Sequence, residues 1–100
     1  MADVDDGEVV DNPAAHRFEL TIDGQTAELV YRLKPPVLEL VHTGVPDALE
    51  GEGVGGRLVR AAVDVAERDG LTIVPTCPFA RAWLRRHPDE AARVSIAYPD

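Results

Sequence analysis

Four glycines in six residues, Gly51-Glu52-Gly53-Val54-Gly55-Gly56, stand between two runs of opposite periodicity. Ahead of them, Val37-Leu38-Glu39-Leu40-Val41-His42-Thr43 has the composition of a strand, and behind them an amphipathic run from Val54 to Asp69 repeats as a helix. The chain is therefore held to a strand–loop–helix unit at this point. A glycine-rich loop heading a helix leaves bare backbone N–H groups at the positive end of the helix dipole, an anion-binding device whose usual ligand is a phosphate or pyrophosphate. A loop that only turns the chain is the alternative.

The flanking segments supply the rest of the layer. Phe18, Leu20 and Ile22 alternate with Arg17, Glu19 and Thr21. Asp23-Gly24 then forms a two-residue hairpin signal, and Ala27, Leu29, Tyr31 and Leu33 share one face of the return strand. Lys34-Pro35-Pro36 ends that strand; the next, apolar at Val37 and Val41 as well as at Leu38 and Leu40, is expected to be central. Along the helix, Val54, Leu58, Ala61, Ala62 and Val65 form an apolar stripe opposite Arg57, Arg60, Asp64, Glu67 and Arg68, with Gly70 as the terminator. Leu71-Thr72-Ile73-Val74 reads as a short buried strand, and Pro78 to Arg86 as a second helix with proline at its first position. His87-Pro88 breaks it, and a short turn at Asp89–Arg93 and Val94-Ser95-Ile96 complete the chain. The resulting order, β-β-β-α-β-α, predicts an α/β layer fold whose mixed sheet joins an N-terminal antiparallel meander to a βαβ-like crossover.

With 100 residues the chain is expected to form a single compact domain over 1–100, with residues 1–12 a partly disordered acidic tail in which Glu8-Val9-Val10 can begin an edge strand. One cysteine allows no internal disulfide, and the three histidines show no ligand spacing, so no metal is expected. The net charge of −8 argues against nucleic-acid and membrane-surface binding and leaves room for a cationic substrate such as an amine. No apolar run reaches the roughly 18 residues of a membrane span. The acidic start and the lone thiol fit a cytoplasmic protein, expected to be a monomer. The glycines also satisfy G-x-G-x-x-G at Gly51, Gly53 and Gly56, but Pro75-Thr76-Cys77 stands where a dinucleotide fold needs an acid, and no Gly-Lys-Ser/Thr follows for a Walker loop.

Together, Arg17-Phe18-Glu19, His42-Thr43-Gly44-Val45-Pro46, the glycine segment, Pro75-Thr76-Cys77-Pro78-Phe79 and Arg86-His87-Pro88-Asp89 give the chain a family look. From about Val10 to Ala97 it resembles the small single-domain members of the GNAT superfamily of N-acetyltransferases. The resemblance implies a GNAT-like fold, acetyl-CoA or coenzyme A as co-substrate, and an amine-bearing acceptor. It implies cofactor contacts at Thr43, Val45, Gly51, Glu52, Gly53, Val54, Gly55, Gly56, Arg57, Pro78 and Trp83. The superfamily loop Gln/Arg-x-x-Gly-x-Gly/Ala falls on Glu50-Gly51-Glu52-Gly53-Val54-Gly55, so its leading basic or amide residue is replaced by a carboxylate. Arg57 and Arg60 are candidates for the compensating charge, a solvated helix face being the alternative for each.

Two side chains are candidates for the chemistry. Cys77 precedes Pro78 and so takes the N-cap position, where a sulfur near first-turn N–H groups is stabilised as thiolate; a buried inert cysteine closing a strand is the other reading. His42 is a candidate base, or else a histidine packed on the sheet. Acetyl transfer by direct attack of an amine and transfer through Cys77 by thioester exchange both remain open, as does a non-catalytic coenzyme-binding module that senses or interacts without turnover. Phe79 reads as core, Trp83 as either core or a residue flanking the coenzyme's adenine or pantetheine, and the stripe Arg81, Arg85 and Arg86 as either solvated or close to the coenzyme's 3′-phosphate.

Overall fold

The computed structural model describes residues 7–99. Its elements run β1 (Val9–Asn12), β2 (Arg17–Ile22), β3 (Gln25–Lys34), β4 (Val37–Gly44), α1 (Val54–Asp69), β5 (Thr72–Pro75), α2 (Pro78–Arg86), α3 (Pro88–Ala91) and β6 (Ser95–Ile96). The strands form one sheet in sequence order. β1 to β4 are mutually antiparallel, and β4, β5 and β6 are parallel. This is the mixed α/β layer expected from the sequence, with α1 as the crossover from β4 to β5 and the Asp23-Gly24 turn closing the first hairpin.

One face of the sheet carries the core. Phe18, Leu20, Ala27, Leu29, Tyr31, Leu38, Leu40 and Ile73 are buried against Leu58, Val59, Ala62, Val63 and Ala66 of α1 and against Ala80, Trp83 and Leu84 of α2. The alternating residues Arg17, Glu19, Glu28 and Glu39 lie on the opposite, open face, where Arg17 bonds both Glu19 and Glu28. The buried side of α1 is turned from the expected stripe. Val59, Val63 and Ala66 are fully covered while Ala61 and Val65 are only partly so, because the helix faces α2 as well as the sheet.

Three details depart from the sequence reading. The edge strand expected to begin at Glu8-Val9-Val10 is present as Val9–Asn12 and continues through Asp11 and Asn12 of the expected tail, held by its ladder to β2 and by the Tyr31 hydroxyl, which donates to Asp11 Oδ1 at 2.6 Å; residues 1–6 of that tail lie outside the described residues. Burial, and then that bond, raise the Tyr31 phenol above its ordinary range. β5 begins at Thr72, since the Leu71 N–H turns back to the Ala66 carbonyl at the end of α1.

The third departure matters most for the site. Tyr31 pairs with Leu40 and Val30 with His42, so Val41 is an extra residue, a β-bulge. Past the bulge the alternation of β4 reverses. Thr43, opposite the buried Leu29, joins the core face, and His42 goes to the open one. No helix among the described residues is long and apolar enough to cross a membrane.

Candidate functional site

β4 and β5 stay together only as far as Leu40 and Pro75. The Cys77 N–H closes the seam by donating to the Leu40 carbonyl at 2.9 Å. β4 continues to Gly44 with β3 as its strand partner, so its β5-facing side opens into a gap between the two strands. The chain then passes Val45-Pro46 and a 3-10 turn over Asp47–Leu49, whose buried Leu49 anchors the loop, before entering the glycines.

Gly51 and Gly53 have φ of +84° and +75°, with open space where a Cβ would stand. They are the residues that need glycine for conformation. Gly53 is the N-cap of α1, and no side chain caps the helix there; its first turn holds no acidic residue. The first intrahelical bond runs from Arg57 N–H to the Gly53 carbonyl, leaving the N–H groups of Val54, Gly55 and Gly56 without a helical partner. An uncapped N-terminus is rare inside a packed layer, and here it opens on a cleft of about 610 Å³.

The other two glycines do different work. A Cβ on Gly55 would stand 2.7 Å from the Phe79 ring, and one on Gly56 would collide with Trp83 Nε1. They let the aromatic side of α2 close on α1, so they serve packing first. A bulky residue at Gly55 therefore perturbs both the helix contact and the loop.

The cleft is bounded on the loop side by Val45, Leu49, Glu50, Gly51 and Gly53, on α1 by Val54, Gly55, Gly56, Arg57 and Arg60, and on α2 and its end by Phe79, Trp83, Arg86 and His87. Trp83 is 5% exposed. His87 stacks on it with centroids 4.0 Å apart and its Nδ1–H donates to the Trp83 carbonyl at 2.7 Å; Arg60 lies over the ring at 5.5 Å. Little ring surface is left for stacking on a ligand, so Trp83 is a wall of the cleft. Its indole N–H, turned to Gly56, has no hydrogen-bond partner among the described residues. Phe79 is the reverse of its sequence reading. It is 39% exposed at the cleft rather than in the core, because α2 turns Ala80, Trp83 and Leu84 inward.

Of the sequence candidates, Val45, Gly51, Gly53, Val54, Gly55, Gly56, Arg57 and Trp83 thus meet at one cleft. Thr43, Glu52, Pro78, Cys77 and His42 are outside its lining. Glu52 and Pro78 are exposed. Cys77 holds the N-cap position of α2, yet its sulfur makes no capping bond. The side chain is 3% exposed and its Sγ lies 3.3 Å from Thr43 Oγ1, the residue the bulge has turned inward. His42 is exposed on the open face, across the sheet from the cleft, where it and Glu28 flank Gly44. Leu49, Phe79 and His87 were not visible as site residues in the sequence; only the packing of the loop and of α2 on α1 brings them there. Among the described residues no cluster of His, Cys, Asp and Glu could hold a metal ion.

This architecture has relatives. Residues 17–94 match the model of the GCN5-related N-acetyl-transferase family. The chain belongs to that family. It is 33% identical to Protein NATD1 of Mus musculus over 75 residues, which covers 72% of this chain and 68% of the relative. With Protein NATD1 of Homo sapiens it shares 33% identity over 52 residues, covering 52% and 46%. The solution structure of a GCN5-like protein from Staphylococcus aureus superposes with a TM-score of 0.70 at 28% identity, over 93% of this chain and 90% of that one. Membership in the family supports acetyl transfer in general, and its members typically use acetyl-CoA. The residues present suit such a coenzyme: uncapped N–H groups for its pyrophosphate, arginines for its charge, and a strand gap beside them for a narrow chain.

Proposed function

We propose that this protein is an acetyl-CoA-dependent N-acetyltransferase acting on an amine. The observation that carries this reading is the uncapped glycine N-terminus of α1, which opens into the cleft at the end of the strand whose partner departs. In this reading the N–H groups of Val54, Gly55 and Gly56 hold the pyrophosphate, Arg57 adds charge, and the pantetheine runs past Val45 to the gap beside Thr43. When bound, acetyl-CoA supplies an acetyl group on a thiolate leaving group. A backbone N–H on the side of β4 that β5 leaves uncovered past Leu40 would donate to the acetyl oxygen as charge builds on it.

His42 stands on the other side of the sheet. It would meet an amine arriving over the open face and accept the proton released as nitrogen bonds to the carbonyl carbon and the carbon–sulfur bond breaks. The burial of Cys77 and its contact with Thr43 support direct attack by the amine, with the cysteine as a wall of the gap. A monomer goes with this proposal, since all the groups named come from one chain, and a cytoplasmic location is proposed with it.

The test is thiol release from acetyl-CoA in the presence of a panel of small amines, peptide lysines and peptide N-termini. Release with one class supports the reading and names the acceptor. Calorimetric binding of CoA with no release against any class would make the protein a coenzyme-binding module, and no binding would end the coenzyme reading. A lasting acetyl group on Cys77, seen by intact mass, would replace direct attack with the covalent route.

A further inference from the structure

The outer part of the cleft is more basic than the rest of this protein. Acidic residues outnumber basic ones by eighteen to ten, yet three of the arginines, Arg57, Arg60 and Arg86, meet at this one opening. Glu50 is the single acid among the described lining residues.

The three are not equally placed. Arg57 lies next to the free N–H groups of the first turn. Arg60 is three residues further along α1, about 4.5 Å at 1.5 Å per residue. Its Nε donates to Glu90 at 3.0 Å, which fixes the guanidinium over Trp83 and leaves its other N–H groups without a hydrogen-bond partner among the described residues. Arg86 comes to the same place from the last turn of α2, and forms no hydrogen bond or ion pair with a described residue. Its two neighbours in the arginine stripe are engaged elsewhere: Arg81 donates to the carbonyls of Pro75 and Thr76, and Arg85 lies over Tyr98. A cation without a counter-ion, beside a second one held in position, is an arrangement suited to an additional dianionic group.

We infer that Arg86 and Arg60 form a subsite for a second phosphate, separate from the pyrophosphate at the helix N-terminus, and that its ligand is the 3′-phosphate of the coenzyme's ribose. This rests on the coenzyme reading proposed above. It makes the protein selective for CoA over dephospho-CoA, which differs only by that phosphate. Arg86 and Arg60 are binding residues in this subsite and take no part in the transfer.

Calorimetric titration of the full chain with CoA and with dephospho-CoA tests the inference without any turnover. The wild-type protein is expected to bind CoA about tenfold more tightly, the size of one or two charge-assisted hydrogen bonds at a partly exposed site. Arg86→Ala should remove most of that preference, weakening CoA several-fold while leaving dephospho-CoA within about twofold, since only the 3′-phosphate contact is lost. Arg86 is exposed, so this variant should stay close to the parent in stability; Arg60→Ala should act in the same direction. Equal affinity of the wild type for the two ligands overturns the subsite and leaves the coenzyme reading standing. Equal weakening of both ligands by Arg86→Ala assigns Arg86 to the pyrophosphate and also overturns it. Binding of neither ligand is the separate result that removes the coenzyme reading itself.

Discussion

Gly56→Ala should destabilise the protein through a single atom. The added Cβ collides with Trp83 Nε1 and lies 3.2 Å from Cδ1 and 3.3 Å from Cε2 of the same ring. The ring cannot swing aside cheaply, for it is buried, stacked on His87 and tied through the backbone to the His87 Nδ1–H. Overpacking of this kind costs roughly 1–3 kcal/mol, against which alanine recovers at most about 1 kcal/mol of helix propensity over glycine. The net effect should be a loss of about 1–2 kcal/mol, or roughly 5–10 °C in the thermal midpoint of a domain this size. Urea unfolding followed by far-UV circular dichroism measures it directly. In a Trp83→Leu background the same substitution should lose most of its effect, giving a coupling of about 1 kcal/mol in the double-mutant cycle. A Gly56→Ala protein as stable as its parent, or a cycle that closes to zero, would refute the view that α1 and α2 approach through this glycine.

Tyr31→Phe leaves Asp11 without its hydroxyl donor and should cost about 1 kcal/mol, with faster hydrogen exchange confined to β1. The Glu19 carboxyl is held below its usual range chiefly by the hydrogen bond from Arg17, so its contribution is present at neutral pH and is lost as pH falls through the depressed folded-state value. Urea midpoints should accordingly drop on acidification below about pH 4, the ordinary carboxylate range, and drop less steeply in Arg17→Gln. Cys77→Ala should keep turnover within a few-fold and lose about 1–2 kcal/mol of stability, as the truncation of a buried side chain in contact with Thr43; complete loss of turnover in a folded protein would contradict direct attack. His42→Gln should lower turnover about a hundredfold while CoA affinity, measured by calorimetry, stays unchanged.

Period and punctuation determined most of the framework. The alternation from Phe18 to Ile22, the Asp23-Gly24 turn, the double proline before Val37, and glycine at both ends of the long helix each encode a local conformation that needs no distant partner. α1 and α2 accordingly span the residues their patterns predict. The glycines likewise announced an open helix N-terminus, because a left-handed N-cap without a capping side chain is a property of a few adjacent residues.

Tertiary structure decided which side each functional candidate faces. The bulge at Val41 is invisible in an unbroken apolar run, since it arises from the pairing of β4 with β3, and it sends His42 outward and Thr43 inward to Cys77. Phe79 and Trp83 look alike at i and i+4 on α2; the rotation of that helix on α1 places one at the cleft and the other in its wall. The arginine stripe divides in the same way, Arg81 and Arg85 being taken by neighbours and Arg86 left at the opening. A sequence carries the period of a strand or helix, but the phase of that period against the rest of the molecule is set by long-range packing, and at this site the phase determines what each residue can touch.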